Sequence, residues 1–197
     1  MRRVSVRIIA GSARGRQFDA LPGLDTRPTL DRVKEAVFGS LQFDLPGSHV
    51  LDLFSGSGNL GLEAASRGAS LVVCNDQSPA CAQLIRKNAR DLRLMERVTV
   101  LQFDYRVAIE RLTASGVRFD FAFLDPPYAS GFGVDAAERL FRAGLMRRGG
   151  LVLVEHVATD ELQAVPGVMR LRRTKKFGKC AVSEMEYDDS LESDGTI

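Results

Sequence analysis

From residue 50 onward, short apolar runs alternate with helix-like segments, and this alternation constrains the fold more than any other feature. The runs predicted as strands cover residues 50–54, 70–74, 98–103, 119–124 and 151–155. Continuous apolar runs are typical of strands buried on both faces, and intervening helices are typical of parallel pairing. The helices are predicted over residues 60–66, 79–92, 105–112 and 134–141. The pattern therefore predicts an α/β fold whose mostly parallel sheet is covered on both sides.

Residues 1–47, which precede this body, are predicted to form a small N-terminal arm. The arm opens with a strand-like run from Val4 to Ile9 and continues through a glycine-containing loop. A helix is predicted from Leu30 to about Leu41, because apolar residues recur there on one helical face. The Pro46-Gly47 pair then ends the arm.

The C-terminal end of the body carries a different pattern. Residues 169–174 and 180–187 are predicted as two antiparallel strands of a hairpin, joined by a loop over residues 175–179. The main domain is therefore predicted to span residues 48–187. Residues 188–197 are acidic and polar, and they are predicted to form a frayed tail.

Composition excludes several classes of protein. The hydrophobic fraction of 45% is enough for a buried core. The net charge of +2 is too small to indicate a nucleic-acid partner by itself. The three cysteines lack metal-type spacing, so no metal site is predicted, and their scatter is typical of a reducing compartment. Because no signal core or membrane-length apolar run is present, we expect a cytoplasmic protein without membrane contact. A monomer is expected.

Three glycines follow the first strand of the body. Gly56, Gly58 and Gly61 match the G-x-G-x-x-G pattern in the run from Asp52 to Gly61. Glycines allow close approach of the backbone to a ligand, and the following helix N-terminus offers free amide donors. The pattern predicts a site for a nucleotide-like ligand, although a dinucleotide-binding fold would share it.

Acidic residues stand at or near the ends of three successive predicted strands. Asp52 precedes the glycines and can position the loop or an amino-bearing ligand. Asp76 lies about 20 residues after them, where a carboxylate can accept both hydroxyls of a ribose. Asp104 can face an adenine amino group. Ligands of open α/β sheets bind at the carboxyl ends of the strands, so these residues are expected to converge.

The segment Asp125-Pro126-Pro127-Tyr128 directly follows the fourth predicted strand. Paired prolines fix φ and remove two backbone donors, which leaves a stiff loop that presents carbonyl groups. The Asp125 carboxylate and the Pro126 carbonyl are candidate acceptors for the two hydrogens of an exocyclic amino group on a nucleic-acid base. Such acceptors would favour a pyramidal nitrogen with its lone pair aimed outward, while Tyr128 would stack on the base.

These motifs resemble those of the class I S-adenosylmethionine-dependent methyltransferases. The chain is more narrowly similar to the bacterial methyltransferases that modify the N2 amino group of guanine 966 in 16S rRNA. The resemblance covers roughly residues 5–187, and its carrying segments are residues 7–16, 26–35, 51–63 and 123–128. It implies a Rossmann-like, seven-stranded sheet with one antiparallel strand in a terminal hairpin.

The resemblance also implies roles for particular residues. Catalysis is expected at Asp125, Pro126, Pro127 and Tyr128, with S-adenosylmethionine as methyl donor and no metal. The cofactor-binding residues are predicted to be Asp52, Phe54, Ser55, Gly56, Gly58, Asn59, Asp76, Gln77, Asp104 and Tyr105. The acid after the second strand is often Glu in this family, and here it is Asp76.

Basic residues suggest where RNA would bind. Arg14, Arg16, Arg27 and Arg32 lie in the arm and are the predicted RNA-binding residues, because most of them fall on loops flanked by glycine or proline. The expected partner is 16S rRNA, either naked or within a 30S particle. Residues 166–180 carry six basic residues and no acidic one, which is equally typical of a solvated surface.

Other functions remain open at this point. An adenine-N6 or cytosine-N4 methyltransferase acting on DNA or another RNA would use the same chemistry, although no segment of this short chain reads as a target-recognition domain. A non-catalytic RNA-binding protein on the same fold is a second alternative. An NAD oxidoreductase is a third, supported by the glycine pattern alone.

Overall fold

The computed structural model describes residues 4–20, 28–127 and 131–188. Its strands are β1 (Val4–Arg7), β2 (Gln17–Ala20), β3 (His49–Asp52), β4 (Leu71–Asn75), β5 (Val98–Leu101), β6 (Phe119–Leu124), β7 (Met146–Val157), β8 (Met169–Phe177) and β9 (Cys180–Tyr187). Its helices are α1 (Pro28–Ser40), α2 (Asn59–Ser66), α3 (Pro79–Asp91), α4 (Tyr105–Ser115) and α5 (Phe132–Arg142).

Seven strands form one sheet in the order β5-β4-β3-β6-β7-β9-β8. The β3–β4, β4–β5 and β6–β7 pairs are parallel, whereas β9 is antiparallel to both β7 and β8. The predicted α/β fold, a mostly parallel seven-stranded sheet with an antiparallel strand in a terminal hairpin, is therefore confirmed.

The chain divides into two compact units, residues 1–108 and 109–197. In the first unit, the parallel strands β3, β4 and β5 are accompanied by α2 and α3, and Leu51, Leu62 and Ile85 are fully buried in its core. Parallel pairing brings the carboxyl ends of these three strands to the same edge. The predicted division after residue 47 stays a prediction.

The N-terminal arm contains a small antiparallel sheet of β1 and β2, in addition to α1. Strands and a helix were predicted for the arm, but the position of the second strand was not, because a four-residue run that begins with Gln17 gives almost no periodic signal. Helix α1 begins at Pro28, two residues earlier than predicted. A proline is well tolerated at the first helical position, where its missing N–H has no partner to lose.

In the second unit, β6 lies beside β7 and α5 packs near both strands. Phe119, Phe123 and Leu124 of β6 are buried, as expected for a strand covered on both faces. Helix α5 buries Leu140 and carries ion pairs four residues apart on its exposed face, such as Asp135 with Arg139.

Two predictions about the C-terminal strands are wrong. The strand predicted over residues 151–155 begins earlier, at Met146, so the Gly149-Gly150 pair lies inside β7. The register shift between Phe119 and Phe121 accommodates the extra residues there as a bulge. The predicted loop over 175–179 is a two-residue turn at Gly178-Lys179 between β8 and β9. Gly178 has a φ of +69°, the conformation that such tight hairpin turns require.

The predicted frayed tail begins with Asp188, and that assignment is wrong for this residue. The Asp188 carboxylate accepts a hydrogen bond of 2.8 Å from the Gly167 amide, which holds the residue against the chain before β8. Residues 189–197 lie outside the described residues.

Candidate active site

The glycine loop begins where β3 ends at Asp52, and its course is set by hydrogen bonds to the neighbouring backbone. The Ser55 hydroxyl donates to the Asp52 carbonyl at 2.6 Å, and the Ser55 amide donates to the Asn75 carbonyl of β4 at 2.9 Å. Gly56 and Gly58 have φ values of +53° and +87°, which side chains rarely permit. Their predicted role in shaping a close-approach loop is consistent with this backbone.

The Asp52 side chain points into the protein. It is only 1% exposed, and its Oδ2 accepts a hydrogen bond of 2.8 Å from the Gly61 amide in the first turn of α2. A Cβ atom at Gly61 would lie 2.4 Å from the Cys74 Sγ and 3.1 Å from the Asp52 Oδ2. The third glycine therefore allows α2 to approach the strands, and Asp52 aligns that helix with the loop.

Burial raises the pKa of Asp52 to about 7, because a charged carboxylate is poorly solvated in the core. In the unfolded chain this group titrates near 3.8, so the folded state binds an extra proton between the two values. Stability from this group is therefore present at low pH and is lost as the pH rises toward about 7.

We expect Asp52→Asn to remove this pH dependence while keeping an oxygen acceptor for the Gly61 amide. Between pH 5 and pH 8, the wild-type protein should lose about 2–3 kcal/mol more unfolding free energy than the variant. Urea denaturation at the two pH values measures this difference. Equal pH slopes would show that Asp52 is charged in the folded protein throughout this range.

Asp76 follows β4 and is half-buried at the same strand edge. Its Oδ2 accepts from the Gly56 amide and its Oδ1 accepts from the Ser78 amide, both at 2.9 Å. Ser78 in turn caps α3 through the Cys81 amide. A carboxylate has about four lone-pair sites, more than these two amides occupy, so Asp76 can also accept from hydroxyl donors such as those of a ribose.

Asn75 is a residue whose role the sequence did not reveal. It is buried, and its side-chain amide donates to the carbonyls of Leu53 and Phe103, each at 3.1 Å. Its Oδ1 accepts from the Phe103 amide at 3.2 Å. One neutral side chain thus joins the segments that follow β3 and β5 to the end of β4, and it fixes their relative positions.

The two residues that precede and begin α4 differ in their exposure to solvent. Asp104 is exposed, accepts from the Arg106 amide at 2.9 Å, and begins α4 through its carbonyl. Tyr105 is buried, with its ring centroid 5.4 Å from that of Phe54. An exposed acid beside a tilted aromatic pair can bind the polar edge and the face of a purine. Gln77 is exposed on the loop after Asp76.

A buried ion pair connects the predicted cofactor loop to the N-terminal arm. Lys34 of α1 is 1% exposed and donates to the Arg7 carbonyl, the Asn59 Oδ1 and the Glu63 Oε2 at 2.8, 2.9 and 3.1 Å. Asn59, a predicted cofactor-binding residue, therefore has its side-chain oxygen directed toward Lys34. The arm is fastened to the first turn of α2, a contact that no local sequence pattern indicates.

In the second unit, the Asp125-Pro126-Pro127 segment directly follows β6 as predicted. Asp125 is half-buried, Pro126 is buried and Pro127 is exposed. A Cβ atom at Gly133 of α5 would lie 3.4 Å from the Pro126 Cγ and 2.7 Å from the Val154 side chain. This close packing holds Pro126 in place. Tyr128, the fourth predicted catalytic residue, lies outside the described residues.

The four predicted RNA-binding arginines fall in different surroundings. Arg14 and Arg32 are exposed, on the loop between β1 and β2 and on α1 respectively. Arg16 donates to the Asp91 carbonyl and, at 3.2 Å, to the Leu92 carbonyl, so its guanidinium holds the arm against the end of α3. Arg27 lies outside the described residues.

The described residues contain neither a metal-binding cluster nor a membrane-length helix. No group of three or more His, Cys, Asp or Glu side chains there could hold a metal ion. None of the described helices is both long and apolar enough to cross a membrane.

The sequence as a whole matches a known family model, described as conserved hypothetical protein 95, over residues 6–186. The chain belongs to this family. Ribosomal RNA small subunit methyltransferase D of Escherichia coli K12 is 32% identical over 189 residues, which cover 96% of this chain and 93% of that protein. The protein of the same name from Haemophilus influenzae is 34% identical over 150 residues, which cover 76% and 78%. The resemblance stated from the motifs is therefore confirmed.

Solved structures of similar proteins share the fold of this chain. The Escherichia coli methyltransferase-like protein yhhF has a TM-score of 0.81 at 29% identity, over 94% of this chain and 99% of that chain. A hypothetical protein of Thermus thermophilus has a TM-score of 0.78 at 30% identity, over 92% and 99%. The first comparison, together with the seven-stranded sheet, places the chain within the class I methyltransferase fold.

Proposed function

We propose that this chain transfers a methyl group from S-adenosylmethionine to the exocyclic N2 amino group of a guanine in 16S rRNA, guanine 966 by family resemblance. The observation that carries the proposal is the Asp125-Pro126-Pro127-Tyr128 segment at the carboxyl end of β6. Support comes from relatives that match nearly the whole chain and are named small-subunit rRNA methyltransferases.

The residues at the carboxyl edge of β3, β4 and β5 fit S-adenosylmethionine. Gly56 and Gly58 provide a loop without side chains, and Gly58 as the N-cap residue of α2 leaves the start of that helix without a side-chain cap. Asp76 is held by two backbone amides with lone pairs to spare, which suits the ribose hydroxyls. Asp104 and the Phe54–Tyr105 pair suit the adenine. When bound, this donor supplies a sulfonium methyl group, which leaves as the C–S bond breaks with its electron pair on sulfur.

Asp125 and Pro126 are proposed to act on the acceptor nitrogen. Their carboxylate and carbonyl oxygens accept the two amino hydrogens, which draws the nitrogen lone pair out of conjugation with the ring. After the N–C bond forms, the nitrogen carries one proton too many, and this proton passes to the Asp125 carboxylate and then to water. The packed Pro126 provides positioning without reorganisation, which is the main contribution needed for such a transfer.

RNA is proposed to bind the exposed arginines of the arm, Arg14 and Arg32, together with Arg27. For Arg16 we propose a supporting role, because its guanidinium is already occupied by two backbone carbonyls. Phosphate contacts of this kind position the substrate and do not read its sequence.

The test is methyl transfer from labelled S-adenosylmethionine to naked total rRNA, 30S particles and DNA, followed by nucleoside mass spectrometry. N2-methylguanosine in small-subunit RNA is the expected product, and comparison of the RNA acceptors identifies the preferred substrate. Methyladenine or methylcytosine would overturn the choice of base and keep the amino-group chemistry. Absence of product in every acceptor, with calorimetric binding of NAD but not of S-adenosylmethionine, would overturn the proposal entirely.

A further inference from the structure

A second carboxylate, Glu155, lies near the end of the strand that pairs with β6. Leu124 of β6 is the register partner of Val154 in β7, and the two strands are parallel. Asp125 directly follows β6 and Glu155 is the next residue of β7, so extending this register by one residue gives them neighbouring positions on one face of the sheet. Adjacent strands are about 4.8 Å apart, which brings the two carboxyl groups within reach of one planar base.

The Cys180 thiol of β9 is influenced by the carboxyl groups of both Asp125 and Glu155. Glu155 is the register partner of Val182, and Val157 is the partner of Cys180, so Glu155 and Cys180 share a face. Burial raises the pKa of the Cys180 thiol, and the negative charges of Glu155 and Asp125 raise it further. Both carboxylates are therefore close to this sulfur. Glu155 is only 8% exposed, so its hydrogen bonds are little weakened by competing water.

Two carboxylates side by side form a site that accepts hydrogen bonds and donates none. Guanine fits such a site, because its ring N1–H lies directly beside the C2 amino group and both are donors. Adenine and cytosine do not, because each presents a ring nitrogen lone pair beside its amino group. A second carboxylate would face that lone pair and repel it.

We propose that Glu155 is the residue that selects guanine: it accepts the N1–H while Asp125 accepts a hydrogen of the N2 amino group. The several lone-pair sites of a carboxylate allow this contact in addition to those that Glu155 makes within the protein. The inference rests on the proposed function and deepens it, since the Asp-Pro-Pro-Tyr segment by itself suits any of the three amino-bearing bases.

The test compares guanine with 2-aminopurine at the methylated position of the same rRNA acceptor. 2-Aminopurine keeps the C2 amino group but has a lone pair in place of the N1–H. We expect wild-type protein to prefer guanine by on the order of 10²-fold or more in kcat/KM. In Glu155→Gln, the amide can donate to that lone pair, so methylation of guanine should fall, that of 2-aminopurine should rise, and the ratio should shrink below about 10-fold.

Glu186→Gln is the matched control, because Glu186 lies on the same face of β9 and is ion-paired with Arg170. Its guanine to 2-aminopurine ratio should equal that of the wild type. The inference is overturned if the wild-type protein methylates guanine and 2-aminopurine equally well. This measurement does not depend on whether any variant folds. It is also overturned if Glu155→Gln lowers the methylation rates of guanine and of 2-aminopurine by the same factor. That result would mean that Glu155 supports the local structure and does not select the base. In either case formation of N2-methylguanosine by the wild type leaves the proposed function standing, whereas its absence removes both.

Discussion

Replacement of Asp125 by alanine is expected to lower kcat for methyl transfer by on the order of 10²–10³-fold. The variant loses the carboxylate that accepts an amino hydrogen and receives the released proton, while Pro126 remains packed against α5. The dissociation constant for S-adenosylmethionine should change little, because the residues proposed to bind it belong to other strands. Single-turnover kinetics and calorimetry measure the two quantities separately.

Asp120→Ala is a suitable control for this experiment. Asp120 lies near the start of the same strand, and its partly exposed ion pair with Arg147 contributes little stability. Its kcat should match that of the wild type. Full activity in Asp125→Ala would contradict the catalytic role of this carboxylate and assign the methyl transfer to other residues of the site.

Removal of Glu63 should have the largest effect on folding. Its carboxylate is fully buried and accepts from the Ile9 and Ala10 amides, the Arg67 guanidinium and the Lys34 ammonium. Glu63→Ala removes the acceptor that these donors share and takes the opposite charge of this carboxylate away from the buried Lys34 ammonium. We expect a loss of about 3–5 kcal/mol in unfolding free energy, measured by urea denaturation.

A double variant distinguishes the stability contributed by the ion pair from the stability contributed by side-chain packing. Lys34→Met combined with Glu63→Leu removes both charges and keeps apolar volume, so it should cost less than the sum of the two single changes. Glu138→Ala, which breaks an exposed pair with Arg142 on α5, should cost about 0.5 kcal/mol or less. A Glu63→Ala variant as stable as Glu138→Ala would show that the buried pair adds nothing to the fold.

The fold was predictable where local patterns and burial agree. Apolar runs such as 119–124 became strands covered on both faces, and Pro79 after Ser78 began a helix where a cap and a fixed φ coincide. Prediction failed where a tertiary contact overrides the local signal. The Gly149-Gly150 pair indicates a break, yet β6 accommodates it within a bulge of β7.

The candidate site residues that could be predicted are those whose proposed role follows from their position in the sequence. Asp76 and the Asp125-Pro126-Pro127 segment are recognisable because each directly follows a strand, the position where ligand-binding residues of α/β folds occur. Asn75 and Lys34 were not recognisable, because their partners are 22 to 28 and 25 to 29 residues away, respectively, and belong to other elements. A single sequence carries no record of such pairings.

The outermost strand of the sheet bears on how concentrated solutions of this protein behave. Among the described strands β8 pairs with β9 alone, and an open strand edge can pair with another chain. Residues 170–176 are exposed, include five basic side chains, and contain a register shift between Leu171 and Arg173. Like charge and an interrupted ladder both oppose edge-to-edge pairing. We therefore expect these cations to oppose self-association through β8, and we expect precipitation to become easier under conditions that neutralise them.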